Sequence, residues 1–261
     1  CIGDHECLKR IVERKYLSCT VNPQVGMERE FTLRPADKKK SVLVVGGGPG
    51  GMEAARVAAL RGHQVTLWER DKVLGGNLIP ASVPDFKQDY RMLIDYLSTQ
   101  IKKLGVTVEL GKEANAELIQ RMQPDVVFIA TGSRPIVPQI PGVKKDKVVT
   151  AVDLLLGKKK AGESVVVIGG GLVGCETALH LVRQGKKVTV VESLDTAARD
   201  MYKANRLHLL KLLEDEKVQI MTDTSVLEVK DEGIVIAGKE GKKSTLAADT
   251  VVLALGMQCN D

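Results

Sequence analysis

The sequence predicts an α/β protein made of two parallel-sheet domains of one design. Three observations carry the prediction. A strand–glycine turn–helix–strand passage occurs twice in the 261 residues, as KKSVLVVGGGPGGMEAARVAALRGHQVTLWER (39–70) and GESVVVIGGGLVGCETALHLVRQGKKVTVVES (162–193). Its landmarks keep register: Gly46 and Gly169, Gly62 and Gly185, and Glu69 and Glu192 each stand 123 residues apart. A later apolar strand, VVFIATG ending at Gly132, is answered 124 residues on by TVVLALG ending at Gly256. An internal repeat of this length and order marks a duplicated fold rather than a chance match.

Taken in order, residues 1–36 hold three of the five cysteines, Cys1, Cys7 and Cys19, with Asp4 midway between the first two. A Pro- and Lys-rich linker, RPADKKK, follows. Residues 37–147 form the first domain. Val42 to Val45 is a continuous aliphatic run, suited to a parallel strand buried on both faces. Of the three glycines after it, Gly46 permits a tight turn, Gly48 lets the backbone approach a pyrophosphate, and Gly51 lets the helix pack on the strand. The helix start, at Pro49, then offers free N–H groups and its positive dipole end to the phosphates. Glu69 ends the next strand, where a carboxylate accepts hydrogen bonds from a ribose. An amphipathic helix is expected near 86–104, from the spacing of Met92, Leu93, Tyr96 and Leu97. Pro138 and Pro141 mark the crossing to the second domain.

Residues 148–261 repeat the scheme. The strand Val165 to Ile168 leads into Gly169, Gly171 and Gly174, with Leu172 and Val173 in the first helical turn and Glu192 as the acid. Glu192 would repel a 2′-phosphate, and Lys186 and Lys187 lie at the wrong end of their strand to bind one, so this site favours NADH over NADPH. A second amphipathic helix is expected over 204–216, then strands near 219–221, 226–230 and 233–237. Ala254, Leu255 and Gly256, at the end of TVVLALG, are expected among the cofactor-binding residues. Both domains are therefore Rossmann-like, since each glycine pattern sits in its full strand–turn–helix–strand setting. The competing reading of each turn, a glycine-rich bend that binds nothing, does not explain two copies in register.

Composition narrows the function. The net charge is +5, its lysines cluster in loop-like runs at 38–40, 144–147 and 158–160, and aromatics are only 3%. That excludes a nucleic-acid face, which needs a basic surface and stacking platforms. No apolar run approaches the roughly 18 residues of a membrane span, and Asp4, Glu6 and Lys9 interrupt any signal-peptide core. An odd cysteine number argues against a disulfide scaffold and for the cytoplasm. Cys175 reads as a small packing residue on its helix, Cys259 is isolated, and no C-x2-C or C-x4-C redox dithiol occurs. His63, His180 and His208 have no partners at metal spacing. The start at Cys1 rather than methionine suggests a piece of a longer polypeptide. No pattern fixes an oligomeric state.

The motifs GGGPGG, ER, LGG and ATG of the first domain resemble those of flavoproteins with two dinucleotide-binding domains, one for FAD and one for NAD(P)H. The resemblance implies that Gly46, Gly48, Pro49 and Gly51 cradle the FAD pyrophosphate and that Glu69, beside Arg70, takes its ribose. Gly75, Gly76, Asn77 and Leu78 would lie near the flavin, and Thr131 and Gly132 where the chain leaves the domain. The second domain has no equivalent glycine pair. The stretches CIG, CTVNP and GGGPGGMEAARVAALRGH are similar to the C-terminal part of the NADH:flavin oxidoreductases of the 2,4-dienoyl-CoA reductase and enoate reductase group, with trimethylamine dehydrogenase a distant relative.

That resemblance implies a preceding FMN-bearing TIM barrel, where a small-molecule substrate would bind, and a cluster segment ahead of the two-domain module. Electrons would pass from NADH to FAD, through a [4Fe–4S] cluster to FMN, and so to an enoate or dienoyl C=C bond. The hydride step needs no general acid or base, so no catalytic side chain is named. Metal ligands would be Cys1, Cys7 and Cys19, with Asp4 where the family has a cysteine. Three outcomes stay open there: a [4Fe–4S] cluster with an Asp-bound corner, a [3Fe–4S] cluster, or none. Zinc held by the three thiolates and His5 is a further reading, though it lacks the short C-x2–4-C pair. The FAD domain is expected to be incomplete at its C-terminal return. An alternative follows the trimethylamine dehydrogenase branch: the first site holds ADP structurally and the module turns over no NADH.

Overall fold

A computed structural model describes residues 1–260. It divides into two compact units, Cys1–Ser82 with Phe86–Ser133 and the chain end from Cys259, and Val83–Asp85 with Arg134–Gln258. The change at Ser133/Arg134 precedes the expected 147/148 boundary for a physical reason. Residues after Pro135 are tied into the second unit: Val229 N–H donates to Pro141 O at 2.8 Å, and Lys145 pairs with Asp231 at 2.6 Å. The cysteine segment and its linker count with the first unit, where Ala36 N–H donates to Arg61 O at 2.9 Å.

The first unit begins with helix α1 (Glu6–Val12), which buries no residue. Then come β1 (Ser41–Val45), α2 (Pro49–Leu60), β2 (Gln64–Glu69), the one-turn α3 (Leu78–Ala81), α4 (Asp89–Lys103), β3 (Thr107–Leu110), α5 (Ala116–Met122) and β4 (Val126–Ile129). The strands form one parallel sheet in the order β3-β2-β1-β4. Its core joins Val42, Val44 and Leu67 of the strands to Met52 and Ala55 of α2 and Leu97 and Ile101 of α4. The apolar stripe of α4 runs through Leu93, Leu97 and Ile101. Met92 and Tyr96, expected on it, are exposed, because the buried face follows an unbroken i, i+4 row.

The chain passes along β5 (Ser133–Pro135) into the second unit and later leaves it along β14 (Met257–Cys259). Between them lie β6 (Val148–Thr150), α6 (Ala151–Leu155), β7 (Ser164–Ile168), α7 (Leu172–Arg183), β8 (Lys187–Val191), α8 (Lys203–Asp215), β9 (Gln219–Met221), β10 (Ser225–Val229), β11 (Gly233–Ala237), β12 (Lys243–Ala247) and β13 (Thr250–Leu253). The main sheet is parallel, in the order β6-β13-β7-β8-β9. One face packs on α7 and α8 through Val165, Val167, Leu179 and Leu213. The other packs on the antiparallel meander β10-β11-β12 through Val166, Ile168, Ile234 and Ile236. Where the first unit returns from β3 to β4 through the helix α5, the second returns from β9 to β13 through this meander. Among the described residues no helix is long and apolar enough to cross a membrane.

Candidate functional site: two glycine turns on one hydrogen-bond frame

Each turn is fixed by the strand beside it. Gly46 N–H donates to Trp68 O at 2.8 Å, and Gly169 N–H to Val191 O at 2.9 Å. Both glycines have left-handed φ, +109° and +101°, and a Cβ on either would collide with the carbonyl oxygen of Ala130 (2.2 Å) or Ala254 (2.5 Å). The third glycines carry the closest approach. A Cβ on Gly51 would lie 1.9 Å from Gly46 O, and one on Gly174 1.9 Å from Gly169 O.

The second glycines are different. Gly48 and Gly171 cap α2 and α7 with ordinary φ of −72° and −67°, and an added Cβ would meet no protein atom within 4 Å. Neither conformation nor packing asks for glycine there. The open space leaves room for a group to approach the backbone and the unpaired first-turn N–H groups. This is the fit expected of a pyrophosphate in both turns. Pro49 removes one donor from the first helix start, whereas Leu172 and Val173, both exposed, leave theirs in place.

The acids serve the turns before they serve a ligand. Glu69 and Glu192 are both buried. One carboxylate oxygen accepts the Gly47 or Gly170 N–H at 2.6 Å, and the other accepts the Asp71 or Leu194 N–H at 2.8 Å. The Ser193 hydroxyl also donates to Glu192, at 3.2 Å. Each oxygen keeps further lone-pair capacity for a ribose hydroxyl. In the second unit, Ile140, Val226 and Leu255 line a cleft of about 210 Å³ with Glu192 and Ser193 at its polar side. An apolar slot ending in a carboxylate suits an adenosine.

The loop after the acid gives the main correction. In the first unit, Gly75 N–H donates to Gly47 O at 2.9 Å and Leu78 N–H to Gly75 O at 3.1 Å. In the second, Ala198 N–H donates to Gly170 O at 2.7 Å and Met201 N–H to Ala198 O at 3.1 Å. The offset is again 123. The second copy lacks the glycine pair but keeps the loop, with Ala198 held at φ +50°. Repeated glycines could not reveal it; a repeat of spacing from the acids could have. The pairs Ser41–Asp125 and Ser164–Asp249 were also missed. In each, the aspartate accepts the serine N–H, at 2.7 and 2.8 Å, and clips the start of the central strand.

The remaining expected residues are placed as follows. Arg70 is exposed beside the first acid. Asn77 donates through Nδ2 to Ser133 O at 3.1 Å. Thr131 and Gly132 receive the chain end: Asn260 Nδ2 donates to Thr131 O at 2.8 Å, its N–H to Gly132 O at 3.0 Å, and the Thr131 hydroxyl to Asn260 O at 3.0 Å. Asn260 thus belongs with the first unit. Gly256 has φ +94°, and its N-terminal neighbour Leu255 faces the cleft. Cys175 is buried behind the second turn, its Sγ 3.3 Å from Gly170 O. Burial, with Glu192 and Glu176 nearby, pushes its thiol up to about 12, which fits packing and not redox chemistry.

The expected metal ligands are not brought together. Among the described residues no group of three or more His, Cys, Asp or Glu is placed to hold a metal ion. Asp4 accepts instead from the Thr20 hydroxyl and from Glu6 N–H. Cys1 Sγ accepts Gly3 N–H at 3.4 Å, and Cys7 and Cys19 are half-buried.

The sequence profile of the pyridine nucleotide-disulphide oxidoreductases matches residues 40–261. A cinnamate reductase of Clostridium sporogenes is 44% identical over 260 residues, covering 98% of this chain and 39% of its own length. An NADH oxidase of Thermoanaerobacter brockii is 43% identical, with the same coverage. The solved structure of a 2-naphthoyl-CoA reductase in complex with 2-naphthoyl-CoA superposes with a TM-score of 0.94 at 38% identity, over 98% of this chain and 39% of that one. The chain spans about two fifths of the length of these relatives.

Proposed function

The chain belongs to the pyridine nucleotide-disulphide oxidoreductase family, and from that premise we propose that it is the NADH-oxidising flavoprotein module of a longer enoate-reductase-like enzyme. The family implies FAD and NAD(P)H. We assign FAD to the first turn and NADH to the second. The open space over Gly48 and Gly171 at the starts of α2 and α7 supports a pyrophosphate at each turn, and the flavin-type motifs around Gly75 and Gly76 support FAD for the first. Glu192 supports NADH, because its buried carboxylate would face a 2′-phosphate.

When bound, FAD supplies acceptance of a hydride from NADH and release of the electrons one at a time. The protein's part is positioning. The first turns of α2 and α7 bind pyrophosphate through backbone N–H groups, Glu69 and Glu192 orient the riboses, and the Ile140–Val226–Leu255 cleft seats the adenine. No side chain is needed to move a proton in the hydride step.

Beyond the module, we assign Cys1, Cys7, Cys19 and Asp4 to an iron–sulfur segment on the resemblance of their spacing alone. That segment would lead to an FMN barrel where an enoate or dienoyl substrate is reduced. Five free cysteines support a reducing compartment, the cytoplasm. Full-length protein should carry a visible flavin spectrum that NADH bleaches without oxygen. Protein that stays colourless after FAD addition would point to the ADP-holding alternative. Iron and sulfide analysis with low-temperature EPR tests the segment. Absence of both elements would remove the cluster from the relay.

A further inference from the structure

The linker ahead of β1 builds a groove against α2, within the first unit. A cavity of about 650 Å³ lies there, lined by Arg29, Phe31 and Arg34 of the linker and by Arg56, Val57 and Arg61 of the helix and its C-terminal end. Its walls are held by hydrogen bonds. Phe31 N–H donates to Met27 O at 2.9 Å and Gln24 Nε2 to Phe31 O at 2.6 Å, which fixes the turn that carries Arg29 and Phe31. Arg61 Nε donates to Arg34 O at 3.2 Å and Ala36 N–H to Arg61 O at 2.9 Å, which ties the far end of the linker to the end of α2.

The charge of the groove is one-sided. Arg56 is committed to Glu53 through two bonds of 2.7 Å. Arg29, Arg34 and Arg61 are exposed and, among the described residues, have no carboxylate partner. Residues 29–61 carry seven Lys or Arg against three Asp or Glu, which accounts for most of the chain's net +5. The end of α2 does not oppose an anion, because its carbonyls are capped: Val57 O by Arg61 N–H, Ala58 O by His63 N–H and Ala59 O by Gly62 N–H. Phe31 adds a half-exposed aromatic ring to the same wall.

We propose that this groove is a third nucleotide site, holding the phosphates of a mononucleotide on Arg29, Arg34 and Arg61 and its base against Phe31. Guanidinium forks match phosphate oxygens in pairs and stay charged at any ordinary pH. An aromatic ring stacks on a base whatever its identity. An anion also relieves the mutual repulsion of three cations around one cavity. One ring suits a single nucleotide and not a strand, in keeping with the low aromatic content. The site is distinct from both glycine turns, none of whose residues lines it.

Full-length protein saturated with FAD and NAD⁺, so that the glycine turns are filled, is titrated by calorimetry with ATP and with inorganic triphosphate. The expected result is saturable binding of both, weakened roughly tenfold or more in the Arg29→Gln/Arg34→Gln double variant. Phe31→Ala should weaken ATP and leave triphosphate unchanged, and no variant should shift the flavin spectrum or the unfolding midpoint. Equal ATP affinity in the parent and the double variant overturns the inference. So does a Phe31→Ala protein that binds ATP as tightly as the parent, which would leave an anion groove with no base site. ATP that binds only when NAD⁺ is withheld belongs to a glycine turn and overturns it too. Absence of saturable binding overturns it as well and leaves the groove to an acidic protein segment.

Discussion

The two glycine turns share the backbone hydrogen bonds donated by Gly46 and Gly169, by Met52 and Cys175, by Gly75 and Ala198, and by Leu78 and Met201, yet they are written in different residues. Gly75 and Ala198 make the same bond to the turn, one at φ +128° and one at φ +50°. Pro49 opens one helix and Leu172 the other. A helix carries the chain from β3 to β4, and a three-stranded meander carries it from β9 to β13. What is common is the set of positions where backbone meets backbone or meets an outside group. What has diverged is everything a side chain can vary without touching that frame.

The sharpest way to break the comparison is at its closest contact. Gly51→Ala and Gly174→Ala each place a Cβ 1.9 Å from a carbonyl oxygen with no flexible side chain to yield. Each should cost about 3 kcal/mol, the upper end for overpacking, read as a fall in the thermal midpoint. Tolerance at one site alone would mean the two frames are not equivalent. Next come the acids. Glu69→Ala and Glu192→Ala each strand two turn N–H groups and should cost about 1–3 kcal/mol, along with nucleotide affinity in the unit concerned. Denaturant titration with and without FAD or NADH separates the two effects.

A smaller and asymmetric effect is expected in the loop. Gly75→Ala forces an L-residue to φ +128° with Ile79 2.9 Å from its Cβ, which should cost about 2 kcal/mol. Ala198→Gly relieves a left-handed alanine but frees the unfolded chain, so it should fall within about 0.5 kcal/mol of the parent. Equal effects would sink the claim that the loops solved one problem in two ways. Smallest are the clips. The Ser41 N–H and hydroxyl hold Asp125, and the Ser164 N–H and hydroxyl hold Asp249, below the usual carboxylate range. A folded pKa below the unfolded value, about 3.9, adds stability above that value and loses it as pH falls through the folded one. Both aspartates should therefore stay ionised just below pH 4 in an NMR titration. Ordinary titration of either would remove its clip.

The sequence showed most clearly what backbone crowding or ligand approach dictates. Gly46, Gly51, Gly169 and Gly174 were legible because any other residue collides there. Glu69 and Glu192 were legible because the strand end puts them against the turn. The helix 204–216 and the strand 233–237 were read within a residue of α8 and β11, since their apolar spacing is packed on the sheet. Ala198 was not legible, because its N–H does the work and every non-proline residue has one. Strand β12, KSTLA, was missed because its polar, mostly exposed residues carry no burial pattern. Met92 and Tyr96 misled because apolar residues also sit on solvent faces. The cysteine segment has a spacing but almost no burial to fix it, so its metal reading rests on resemblance.

Cys175 gives the second unit a built-in reporter. Its sulfur is sealed behind the turn and its thiol stays protonated at ordinary pH. A thiol reagent can reach it only when α7 lifts from β7. The slow fifth cysteine in a labelling time course would then clock that opening, and added nicotinamide dinucleotide should slow the clock if the turn beneath it is where the ligand sits.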